Sequence, residues 1–171
     1  MVLVVMVVAI VAAMALPAAD PVHEPVASAA ASEIAHAIRF AQREAVRTGT
    51  YHVAEINPAT HTVRVYRLTS TAPVDEDTSN PVMHPVDKQT YRIRLAGNAV
   101  TRALVDSAVF TYGTEKTGDV AFGPDGAPAA VNYLKGKSAA SALSVDGSIR
   151  VQAGAALRTI TVDKTTGRVT L

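Results

Sequence analysis

MVLVVMVVAIVAAMAL, residues 1–16, contains no charged or strongly polar side chain, and the run ends at Pro17. At 1.5 Å of rise per residue an α-helix of this length reaches about 24 Å, short of the ~20 residues that a bilayer crossing needs. Three readings fit these residues: a membrane anchor, a secretory signal peptide, and a buried core helix. Ala13, Ala15 and Ala18 offer the small residues of a cleavage site, but no Lys or Arg precedes the apolar run, as a complete signal peptide requires. An ordinary single-span anchor lacks the same flank, and a core helix would carry a polar stripe that this run does not have. In the anchor reading the lipid-facing residues are Val2, Leu3, Val4, Val5, Val7, Val8, Ile10, Val11 and Leu16, with Pro17 as the stop.

Downstream, PAADPVHEP (17–25) has prolines at 17, 21 and 25, each of which removes a helical hydrogen bond, and the spacing predicts an unwound linker. SAAASEIAHAIRFAQREAVR (28–47) then predicts a helix with Ser28 or Ser32 as N-cap and Gly49 just past its end. Ile34, Ile38, Ala41 and Ala45 recur at helical spacing as one apolar stripe, with Glu33, Arg39, Arg43, Glu44 and Arg47 mostly off it, so this face packs against a sheet.

Beyond Gly49 the period changes to two. Residues 51–56 and 62–68 alternate around Asn57-Pro58-Ala59-Thr60 and predict a hairpin. Further strands are expected at 90–95, 108–112, 119–122, 148–152, 157–162 and 168–171, while 69–88, with three prolines and an acidic run, reads as a long surface loop. The expected class is α+β, with seven or eight antiparallel strands in a small sheet or sandwich. The segments divide into 1–26 (apolar helix and linker), 27–49 (packing helix) and 50–171 (β-domain).

Composition excludes several functions. The 171 residues hold 16 basic and 15 acidic side chains, a net charge of +1, so no overall field recruits nucleic acid. With no cysteine there is no disulfide, thiolate metal site or cysteine nucleophile. His23, His36, His52, His61 and His84 show no metal-ligand spacing, and Asp75-Glu76-Asp77 lacks the alternating oxygens and Gly of a calcium loop. No nucleophile elbow or phosphate-cradling glycine loop is present, so neither an enzyme, a cofactor nor a small-molecule substrate is expected.

The apolar run and its proline resemble the hydrophobic half of a type IV pilin-like N-terminal helix with its first kink. More specifically, AIRFAQREAVRTGTYHVAEIN (37–57) resembles the junction of helix and first strand in the GspH/FimT family of minor pseudopilins, with Arg39, Gln42, Glu44, Ala45 and Gly49 at similar places. VAFGPDGAP (120–128) is similar to that family's Phe-x-Pro-x-Gly turn, and RTITVDKTTGRV (158–169) to its C-terminal hairpin. The resemblance spans nearly the whole chain. It departs at the start, where members of the class carry a basic leader, a Gly and Phe-Thr-x-x-Glu before the apolar run. Met1 is therefore expected to be an internal methionine, with about five further mature residues before it bringing the helix close to a full span.

What the resemblance implies is a structural subunit of a type II secretion pseudopilus. It would be held once through the bacterial inner membrane with its β-domain in the periplasm, and would join other pilin-like subunits and an inner-membrane assembly platform. Two alternatives stand beside it. One is a FimT-like pilin that binds DNA for uptake, with Arg150, Arg158, Lys164 and Arg168 on phosphates, although Asp146 and Asp163 lie among them and no aromatic residue is interleaved. The other is an exported β-domain with a cleaved leader.

Overall fold

The computed structural model describes residues 23–69, 75–95, 103–129 and 142–171. The proposed anchor, Pro17 and most of the expected linker lie outside the described residues.

Helix α1 runs from His23 to Thr48. It therefore starts before Ser28, and neither Ser28 nor Ser32 caps it. The correction has a simple cause: Pro25 is the third residue of the helix, where the backbone N–H has no intrahelical acceptor to lose. Glu24 adds a negative charge to the positive end of the helix dipole. At the other end Gly49 takes φ +67° and its N–H reaches the Ala45 carbonyl at 3.0 Å, closing the helix.

Nine strands follow among the described residues: β1 (His52–Asn57), β2 (Thr62–Arg67), β3 (Arg92–Arg94), β4 (Ala103–Tyr112), β5 (Glu115–Thr117), β6 (Asp119–Phe122), β7 (Gly147–Ala153), β8 (Ala156–Val162) and β9 (Val169–Thr170). They form two antiparallel sheets in the orders β3-β2-β1-β6 and β5-β4-β7-β8-β9. The first hairpin closes where the sequence places it, with the Asn57 side-chain oxygen accepting from the Ala59 and Thr60 amides.

Three differences from the expected strands have physical reasons. Strand β4 starts at Ala103 rather than 108, because a bulge between Val105 and Ser107 shifts the side-chain alternation on which period-two reading depends. Strand β5 is three polar residues long and offers no hydrophobic alternation at all. The expected surface loop is partly knit into the sheet: Asp77 donates its amide to Arg67, Tyr91 to Val82, and Met83 bridges to Thr90. Residues 70–74 of that loop lie outside the described residues.

Helix α1 packs on both sheets, touching β1 and β2 of one and β7 and β8 of the other. Two-sided packing demands more than one stripe, and Ala27, Ala30, Ala31, Ala35 and Ala37 are buried together with Ile34, Ile38, Ala41 and Ala45. Alanine suits this position because its small side chain lets both sheets approach the helix backbone without leaving a void. Phe110, Tyr112, Phe122, Ile56, Ile149 and Ile160 fill the rest of the core. Among the described residues no helix is long and apolar enough to cross a membrane.

Candidate functional site

The last two turns of α1 form a junction to which two distant turns are tied. The Gln42 side-chain amide donates to the Gly126 carbonyl at 2.7 Å and to the Thr166 carbonyl at 2.9 Å. One turn earlier, the Arg39 guanidinium donates to the Val169 carbonyl at 2.9 Å. Each turn is built to present its carbonyl. Gly126 takes φ +77° with its amide on the Gly123 carbonyl, and Gly167 takes φ +69°. A Cβ on Gly167 would lie 2.7 Å from the Phe122 ring and 2.8 Å from Gln42 Nε2, so glycine is needed there for space as well as for conformation. The Asp163 carboxylate accepts from the Thr165 and Thr166 amides and the Thr166 hydroxyl. Those bonds hold its pKa below the usual carboxylate range, the Thr166 amide foremost.

The motifs at 37–57, 120–128 and 158–169 thus meet at one place. Their shared residues are a structural clasp: they fix the turn after β6 and the last hairpin turn on the helix. Glu44 belongs to this stretch without entering the clasp. It accepts from Arg47 on the helix surface, which lowers its pKa despite partial burial.

On the opposite flank of the helix end a groove of about 430 Å³ opens between Phe40, Glu44, His52, Arg67, Val82 and Met83. Its polar members are engaged. Arg67 pairs with Asp77, and His52, buried at the end of β1, lies against the Thr50 carbonyl at 3.2 Å. Burial pushes the His52 imidazole pKa down. Nearby, Arg64 holds Glu76 at 2.6 Å and Glu55 at 3.3 Å, so two of the three residues of the acidic run are tied to β2 by arginines. Among the described residues no group of three His, Cys, Asp or Glu side chains is placed to hold a metal ion.

The four basic residues considered for DNA are not brought together. Arg150 stands on the solvent face of β7, 3.4 Å from Asp106. Arg158 is on the helix-facing side of β8 and pairs with Glu24. Lys164 and Arg168 flank the last turn, where the Lys164 amide donates to Asp146 and the Asp163 carboxylate accepts from the Thr166 amide. The observed array is two separate ion pairs and a turn carrying both signs of charge, rather than a basic track.

The family model described as "Type II transport protein GspH" matches residues 30–166, from the first third of α1 to the last hairpin turn. The chain belongs to the GspH family. No curated protein matches the sequence. The minor pseudopilin EpsH from the Type 2 Secretion System of Vibrio cholerae has a similar structure, with a TM-score of 0.52 at 13% identity over 85% of this chain and 94% of that one. At that identity the likeness is one of fold. The clasp is then part of the scaffold, and among the described residues the surfaces left over for function are the sheet edges and the loops. Sequence reasoning placed Arg39, Gln42 and both turns but missed their convergence, since nothing in a linear pattern shows that residues 42, 126 and 166 share one donor.

Proposed function

We propose that this chain is a minor pseudopilin: a structural subunit of a type II secretion pseudopilus that assembles through its apolar N-terminal segment and keeps its β-domain in the periplasm. The observation that carries the reading is the family match from α1 through the last hairpin turn, over the two-sheet domain. The physical logic lies in the first sixteen residues. In lipid an apolar helix satisfies its own backbone hydrogen bonds, and on extraction the same surface has to be buried against sister helices. One segment serves as anchor and as filament core, and no step needs a catalytic side chain. The DNA reading has no comparable support, because Arg158 and Arg150 are already engaged by Glu24 and Asp106.

The test is the mass and location of the protein in its native cell. Retention of residues 1–16 with release from membranes only by detergent is the expected result. A soluble periplasmic form starting beyond Pro17 would refute the proposal and leave the exported-domain reading.

A further inference from the structure

Strand β8 is covered along only part of its outer edge. β9 pairs with Thr161 and Val162 and with no other residue of β8. The Asp163 amide donates to the Arg168 carbonyl at 2.9 Å, which sets the phase of this ladder: odd-numbered residues of β8 turn their N–H and C=O groups toward the β9 side. Leu157 and Thr159 therefore present their main-chain groups along Ala156–Ile160, where no strand lies among the described residues. At about 3.4 Å per residue this open stretch is ~17 Å long.

The other edges are blunted. β3 carries exposed Arg92 and Arg94, β5 carries Glu115 and Lys116, and β6 accepts the Ala129 amide and a bridge from Pro128 on its outer side. Charges, short length and covering segments are the usual protections against strand addition. Among the described residues Ala156–Ile160 has none of them, since its one charge, Arg158, is held by Glu24 of α1.

The geometry points to the outer edge of β8 as a strand-addition site that takes an extended segment of a second pilin-like subunit, antiparallel to β8 and in line with β9. This inference rests on the assembly reading above. Position argues for such an occupant: the segment that precedes α1 joins the domain at His23, whose ring packs against Gly154 of the β7–β8 turn in the space a side chain there would need. The open edge thus begins where the assembling segment leaves the domain. The flanking side chains set the partner's chemistry. On the solvent face Leu104, Gln152 and Leu157 form one cross-strand row, with Leu104 and Leu157 about two-fifths exposed, 42% and 41%. A partner residue opposite Leu157 extends that row and is apolar. On the helix side the Glu24–Arg158 pair leaves no unpaired charge to satisfy, so the partner's residue there is small and uncharged. The segment itself has no proline, because its amides complete the ladder.

The experiment follows single-amide hydrogen exchange in the full chain, in detergent, alone and with each purified pilin-like subunit of the same secretion system. The expected result is a complex in which the Leu157 and Thr159 amides slow about tenfold or more, while Thr161, already facing β9, changes little. Thr159→Pro should weaken that complex about fivefold or more, yet leave the fold intact, since its N–H points away from β7 and serves no ladder bond among the described residues. A complex that forms without slowing at Leu157 and Thr159 overturns the edge proposal and leaves assembly standing. No complex with any subunit overturns both.

Discussion

Gln42→Ala removes the one side chain that ties α1 to both the Gly126 and the Thr166 turns. The first bond, 2.7 Å to a part-buried carbonyl, contributes about 1–1.5 kcal/mol net, and the second, 2.9 Å at an exposed carbonyl, contributes about 0.5 kcal/mol. The expected loss is about 1.5–2 kcal/mol, measured by urea unfolding followed by circular dichroism. Gln42→Glu sharpens the test. It keeps the length of the side chain but replaces the amide donor by an acceptor facing two carbonyl oxygens, so it should cost more than alanine once its carboxylate is ionised above about pH 4.3. Gly167→Ala attacks the same clasp from the turn by forcing a Cβ to 2.8 Å from Gln42 Nε2. Its effect and that of Gln42→Ala should therefore fall short of additivity in the double variant. A loss below about 0.3 kcal/mol for Gln42→Ala, or a Gln42→Glu protein as stable as the parent, would refute the reasoning that these two bonds hold the hairpins.

Two further perturbations probe the same domain. Ile38→Ala empties a fully buried position between helix and sheets and should cost about 2–5 kcal/mol by urea unfolding, with a loss under about 1 kcal/mol counting against two-sided packing. Burial lowers the His52 pKa in the folded state, so below about pH 6.5 the unfolded chain binds more protons there, and stability should fall as pH drops from 6.5 toward the lowered folded value; His52→Gln should flatten that slope, and an unchanged slope would place its origin elsewhere.

How legible the fold was depended on whether a segment's pattern came from burial on one side. Ile34, Ile38, Ala41 and Ala45 repeat at helical spacing because that stripe is buried while Arg43 and Arg47 are exposed, and β7 alternates because Ile149 and Val151 are buried while Arg150 and Gln152 are exposed. The helix start was hidden because proline reads as a breaker everywhere, although in the first turn it breaks nothing. Strand β4 was shortened by its own bulge, and β5 has no buried face to advertise. Of the clasp, the turn residues Gly126 and Gly167 were visible through their chemistry, but the helix donor that joins them was not.

The same distinction explains why the open edge could not be read from sequence. Residues 148–152 and 157–162 alternate equally well, and both were expected to be strands. In the fold β7 is paired on both sides, while among the described residues β8 has a second neighbour only at Thr161 and Val162. Alternation reports which face of a strand is buried; it says nothing about which edge is bonded, because edge bonding uses backbone groups that every residue but proline carries alike. A subunit that meets its neighbours by main-chain pairing would therefore show its scaffold in the sequence, as the clasp does, and conceal its contacts. Thr159→Pro addresses that concealed layer directly, since it alters one backbone N–H and leaves the buried face of β8, Ile160 and Val162, as it was.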